Sequence, residues 1–379
     1  MNSRTSACSE PLAWARPCLW ILLALLGGCR TVPVQVSPQA PELRFSGRVD
    51  WRDPSGPRIA WGGSSLTVRF TGTSLGVRLL DLPKLEEAAP NRFRFSVDGA
   101  PFRDLYVGEG HLLYRLAEGL PRGEHVLRLE KETEPAVGVT QLLGLELDPG
   151  ARLLPAPPAP SRRLEFIGDS GLTGFGIEGK NAQCSFNAET ERASLTWGAL
   201  TAQALGAEAS FVAFSGKGVA VNYANDATPT LPQLYPRTLP LREDPPWDFS
   251  SWIPDAVVIQ LGANDFWKEH PGEERFRDAY RALVADIRGH YPRAHIVCVL
   301  GSGVSDTHPK DLQARTLVRG LLSGLVDSLR QEGDPRVHFA EVPANREDEG
   351  LGCLWHPSRK THQRSAEQMT PLLREWLGW

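Results

Sequence analysis

Leu164-Glu165-Phe166-Ile167-Gly168-Asp169-Ser170-Gly171 runs from a short apolar stretch straight into a glycine-flanked serine. Four more short, mostly apolar runs follow, at 210–214, 256–261, 295–300 and 337–342. Between them the apolar residues fall at helical spacing. Ala193, Trp197, Leu200 and Ala204 repeat at that period before Gly206, as do Phe276, Tyr280, Leu283 and Ile287. Two further helical patterns cover 312–330 and 365–377. Buried strands alternating with helices predict an α/β domain, a parallel sheet flanked by helices, over residues 164–379. Such sheets bind ligands beyond the carboxyl ends of their strands, so the residues just past each run are the functional candidates.

Upstream the pattern changes. Residues 150–163 contain Pro155, Pro157, Pro158 and Pro160 and read as a stiff linker. Over 42–149 the period is two: Leu66, Val68 and Phe70 alternate with Thr67 and Arg69, and Phe93, Phe95 and Val97 with Arg94 and Ser96. Short alternating strands without a long helical stretch predict an antiparallel β-sandwich, and the pattern does not separate a jelly roll from an immunoglobulin-like order. Residues 1–28 carry Arg4 and Arg16 before the apolar run 19–26. That run is too short to span a bilayer, which takes about 20 apolar residues, and has the proportions of a signal-peptide core. Leu26-Gly27-Gly28-Cys29 resembles the lipobox of bacterial lipoproteins, with Cys29 as the lipidated residue and 29–41 as a tether. The expectation is an exported envelope protein that meets the membrane only through its N-terminal lipid.

The 379 residues are 41% hydrophobic and 23% charged, with a net charge of -4. That balance lacks the basic footprint of a nucleic-acid binder. Cys298 sits in an apolar run and reads as a core thiol. Cys184 and Cys353 lie in glycine-containing loops, where an exported protein can hold a disulfide; two free thiols are the alternative.

Four short motifs carry the chemistry. Ser170 follows the first strand, and a serine hydroxyl becomes a nucleophile once a base takes its proton. Ser215-Gly216-Lys217-Gly218 follows the second, where glycine lets a backbone amide approach a ligand. Gly262-Ala263-Asn264-Asp265 follows the third, and an asparagine amide there can donate to an oxyanion. Trp355-His356-Pro357-Ser358 precedes the last helix; imidazole is the natural base near neutral pH. Asp169 and Asp265 read as loop braces, and His362 as a surface residue. Trp355 reads equally as a sugar-stacking ring or a core ring, with Trp267 a weaker stacking candidate. No His or Cys spacing suggests zinc, and the dinucleotide fingerprint is absent.

Ser, Gly, Asn and His in this order resemble the SGNH (GDSL) hydrolase superfamily. The resemblance implies a flavodoxin-like domain with Ser170 as nucleophile, His356 as base, and an oxyanion hole of the Ser170 amide, Gly216 and Asn264. Gly216 is preferred to Gly218. The combination of a preceding sandwich with Phe166-Ile167-Gly168-Asp169-Ser170, Leu261-Gly262-Ala263-Asn264-Asp265-Phe266 and Trp355-His356-Pro357-Ser358 looks like carbohydrate esterase family 2. That implies a jelly-roll N-terminal domain, no cofactor or metal, and removal of O-acetyl groups from polysaccharide of the xylan or glucomannan type through an acetyl-serine. One departure stands out. Many superfamily members place an aspartate three residues before the histidine, where this chain has Cys353. The family implies a Ser–His dyad oriented by a backbone carbonyl, with Asp348 and Glu349 as solvated charges. The alternatives are an esterase or lipase for small or lipid esters, and a non-catalytic carbohydrate-binding surface lipoprotein.

Overall fold

The structure, a computed structural model, describes residues 32–82, 90–108, 110–243, 245–268 and 270–379. The signal-like segment, with Cys8, Cys18 and the lipobox Cys29, lies outside the described residues.

Alternation over the first domain produces two antiparallel sheets. One joins Val34–Val36, Thr140–Leu147, Leu75–Asp81 and Leu113–Ala117 in that order, with Arg58–Ile59 also on Thr140–Leu147. The other joins Leu153–Leu154, Ser65–Gly72, Gly123–Lys131, Asn91–Val97 and Arg103–Val107, with Arg44–Ser46 also on Ser65–Gly72. Val68, Phe70, Leu75, Val77, Phe93 and Leu127 from both sheets bury one shared core. Two sequence expectations need correction. Residues 34–36 are not tether but a strand registered on Leu145–Leu147, with Val34 and Val36 packed on the sandwich core. Three residues are too few to show a period in sequence. Within the proline-rich linker, Leu153 and Leu154 pair with Phe70 and Arg69.

The second domain holds five parallel strands, Arg163–Gly168, Glu208–Ala213, Ala256–Gln260, His295–Leu300 and Val337–Glu341, in the spatial order second, first, third, fourth, fifth. That is the flavodoxin order, whose switch point lies beside the first strand. Strand residues are buried on both faces. Ile167, Val257, Ile259 and Ile296 pack under the helices Glu273–His290 and Ala314–Gln331. Phe166, Phe211, Val258 and Val297 pack under Trp197–Leu205 and Arg359–Leu377. The last helix begins at Arg359, six residues before the apolar pattern, because Ser358 caps it by accepting from Thr361 N.

The two domains share their interior. Trp61, from the sandwich, is buried in the core of the parallel-sheet domain and donates to Thr238 O at 2.9 Å. Arg48, fully buried, pairs with Glu165 on the first parallel strand at 3.1 Å and also donates to the carbonyls of Tyr235 and Arg237.

Candidate active site

Ser170 follows the first strand at the point where backbone leaves the sheet. Asp169 caps the short helix Ser170–Thr173, its Oδ1 accepting from Gly171 N at 3.0 Å. The cap leaves Ser170 N–H without a hydrogen bond among the described residues. The half-buried Ser170 lines a cavity of about 380 Å³, a volume suited to a small ligand. Asp169 is buried, and desolvation pushes its carboxyl up to about 6. It braces the loop through Gly171, Gln260 and Asn264.

The loop after the second strand reaches the same cavity. Gly216 sits at φ +78°, a left-handed conformation that glycine adopts at no steric cost, and lines the cavity wall. Its N–H has no hydrogen bond among the described residues. Gly218 differs: its N–H donates to Asn222 Oδ1 at 3.2 Å, and a Cβ there would lie 1.8 Å from Val221 O. Gly216 is therefore the amide available to a ligand, while Gly218 is packed. Asn264 also lines the cavity, its Nδ2 donating to Lys217 O at 2.9 Å and, at 3.4 Å, to Asp169 Oδ2. Asp265 turns away and accepts from Val219, Ala220 and Val221 N–H, holding that loop in shape.

His356 closes the site from the far end of the chain. Its Nδ1 lies 3.0 Å from Cys353 O and 3.1 Å from Leu354 O. Carbonyls only accept, so Nδ1 carries the proton and Nε2 keeps its lone pair. Burial holds the imidazole below its ordinary pKa, so it is neutral at neutral pH and able to accept a proton. Phe175 packs tilted on the ring at 4.4 Å, with Phe186 stacked behind it at 4.3 Å. Among the described residues no carboxylate is hydrogen-bonded to the ring. Asp348 pairs with Arg346 in the open, and Glu349 with Arg364 at 2.9 Å. Among the described residues Ser170 and His356 share the cavity without a direct hydrogen bond. Hydrogen bonds of this kind are often long before substrate binds.

The histidine loop is strained and clamped. Leu354 and Trp355 take φ +51° and +60°, unfavourable for side chains of their size. Cys353, immediately before them, is disulfide-bonded to Cys184 and donates its N–H to Gly176 O at 3.0 Å. Cys298 is free and buried. The strained turn leaves Trp355 54% exposed on the cavity rim, so it is not a core ring. Trp267 lines the opposite part of the cavity and packs against Tyr223 and His308.

His362 is not on the surface. It is buried, its Nδ1 accepts from Trp197 N at 3.1 Å, and desolvation pushes its pKa to about 3. Reading its neighbours along the chain missed the packing of the last helix on Trp197–Leu205. Gln260 was also missed: it takes a bond from Trp197 Nε1 at 2.7 Å and reaches Asp169 under Ser170. A polar residue ending a fully buried strand was the available signal. Phe175 and Thr173 gave none.

Residues 45–157 match the carbohydrate esterase 2 N-terminal family and residues 166–364 the GDSL-like lipase/acylhydrolase family. The chain is 36% identical over 339 residues to the cellulase/esterase CelE of Acetivibrio thermocellus, covering 89% of this chain but only 40% of that protein's length. It is 29% identical over 359 residues to an acetylxylan esterase / glucomannan deacetylase of Cellvibrio japonicus, covering 89% and 91% of the two chains. A solved family two carbohydrate esterase from Clostridium thermocellum, in complex with cellohexaose, superposes with a TM-score of 0.82 at 36% identity, over 89% of this chain and 99% of that one.

Proposed function

This chain belongs to carbohydrate esterase family 2, and from that premise we propose that it is a serine esterase that removes O-acetyl groups from polysaccharide or oligosaccharide. The observation that carries the reading is one cavity lined by Ser170, Gly216, Asn264 and His356, with Nδ1 of the imidazole held by carbonyls. In this mechanism Ser170 Oγ attacks the acetyl carbonyl carbon while His356 Nε2 takes its proton. The oxygen, now negative, is stabilised by the Ser170 and Gly216 N–H groups and by Asn264 Nδ2, which exchanges its long 3.4 Å bond to Asp169 for the oxyanion; one such donor is worth roughly 3 kcal/mol. His356 returns the proton to the departing sugar oxygen, leaving acetyl-Ser170. Water, deprotonated by His356, then attacks the acetyl carbon; the bond to Ser170 Oγ breaks, His356 returns the proton to that oxygen, and acetate leaves. The carbonyls of Cys353 and Leu354 supply the orientation that an aspartate gives elsewhere, with a weaker hold on the imidazolium. The exposed ring of Trp355 offers a flat apolar face to a sugar.

The relatives named for acetylxylan and glucomannan set the substrates to try. Acetate release from acetylated xylan and glucomannan, and from p-nitrophenyl acetate, should be at least about a thousandfold slower in Ser170→Ala. Rates no higher in wild type than in Ser170→Ala would mean a binding protein instead. The lipobox-like Leu26-Gly27-Gly28-Cys29 supports export and lipid anchoring. Cys29→Ser should shift the protein from the membrane to the soluble fraction of the producing cell, and an unchanged membrane fraction would remove the anchor.

A further inference from the structure

The β-sandwich reaches the candidate active site through three residues. Its strand Gly123–Lys131 runs on into Glu132-Thr133-Glu134, all of them buried. Glu132 stays at the domain boundary, accepting from Ser194 N at 2.9 Å and from the Ser194 hydroxyl at 2.7 Å. Glu134 goes deeper. Its Oε2 accepts from Ser215 N at 2.7 Å, and Ser215 directly precedes the candidate oxyanion donor Gly216.

The main chain of Glu134 is itself held. Glu134 N donates to Glu191 Oε2 at 3.1 Å. Two carboxyls buried together do not both ionise readily, and burial plus the Glu134 charge lift Glu191 well above the usual carboxylate range. Lys131, fully buried, donates to Thr133 O at 2.7 Å and supplies the compensating charge. On the other side, Ser215 Oγ lies 3.1 Å from Thr173 Oγ1, in the helix that Ser170 begins. One sandwich carboxylate thus braces the oxyanion loop, and that loop is tied to the nucleophile's helix. The reaction as drawn does not use Glu134, and its burial is offset by the Ser215 N–H bond and the nearby Lys131 charge.

We propose that Glu134 is a positioning residue for the hydrolase reaction, contributed by the neighbouring domain: by holding Ser215 N–H it fixes the peptide that presents Gly216 N–H to the cavity. The inference rests on the esterase reading above. Two isolated substitutions in the full chain separate position from charge. Glu134→Gln keeps an acceptor oxygen at Ser215 and can donate to an ionised Glu191. Glu134→Asp keeps the charge but is one methylene too short. With p-nitrophenyl acetate, kcat should fall less than about fivefold in Glu134→Gln and about a hundredfold in Glu134→Asp, with KM within about twofold in both. A carboxylate that merely balances Lys131 predicts the opposite order, and that order would overturn the proposal. Hydrogen exchange of the Ser215 amide, the one that Glu134 holds, gives a readout independent of turnover: slow in wild type and Glu134→Gln, fast in Glu134→Asp. Equally fast exchange in wild type would sink the positioning role even where a variant folds poorly. Wild type no faster than Ser170→Ala would remove the esterase reading and this proposal with it. An active wild type with an unimpaired Glu134→Asp would remove the positioning role alone.

Discussion

His356, the proposed base, is held without the carboxylate that is its customary partner. With Nδ1 on two carbonyls, its ring orientation is fixed, but no neighbouring charge raises its basicity. Desolvation therefore sets the direction, and the folded pKa lies below 6.5. The base is active when neutral, so kcat/KM should be flat through neutral pH and fall only as pH drops through that lowered pKa. A pH profile whose acid limb lies above 6.5 would contradict the carbonyl-oriented dyad and point to a carboxylate neighbour. The nearby acids give a second check. Asp348→Asn and Glu349→Gln should leave kcat within about twofold, because both side chains are taken by Arg346 and Arg364. Trp355-His356-Pro357 offered the candidate base in sequence, through its resemblance to the family motif. The burial of His362 was not legible there, since it depends on a helix 165 residues away in sequence.

At the scale of elements, the loop 351–358 is the part of the site that needs outside support. Two consecutive left-handed non-glycine residues cost of order 1–3 kcal/mol each. The Cys184–Cys353 bond ties that loop to residues following the nucleophile helix, and Cys353 provides the carbonyl that holds His356. Cys184→Ser, or reduction of the wild type, should lower kcat about tenfold with little change in KM. Removing a native disulfide also typically costs about 2–5 kcal/mol of stability. Steady-state rates and melting with and without reductant measure both. Unchanged kcat in the reduced protein would leave the disulfide a stability element only. Sequence offered the pairing as one of two options. Only the meeting of loops around Gly176 and Cys353 settles it.

At the scale of the whole molecule, the sandwich keeps its own core but contributes side chains to the hydrolase's interior. Trp61 lies in the hydrolase core, Arg48 is buried against Glu165, and Glu134 holds the Ser215 amide. Arg48→Met should cost about 3–5 kcal/mol, because it strands the buried Glu165 charge. Adding Glu165→Gln should recover part of that loss. Since both domains share the contact, wild type should unfold in one cooperative transition by calorimetry and denaturant titration. Two separate transitions would show that the domain boundary is energetically weak.

The chain alone determined the layering: a period of two gives the sandwich, and apolar runs alternating with helical spacing give the parallel sheet. It also offered Ser170, Asn264 and His356 as candidates, two just past strand ends and one in the loop before the last helix, joined by their resemblance to the family motifs. Such local rules act over a few residues and need no partner. What carries the site between elements was fixed only in three dimensions: the free N–H of Gly216, the carbonyls on His356, the brace from Glu134 and the strand at 34–36. Those contacts join residues far apart along the chain, and their strength comes from burial, which no short stretch of sequence records.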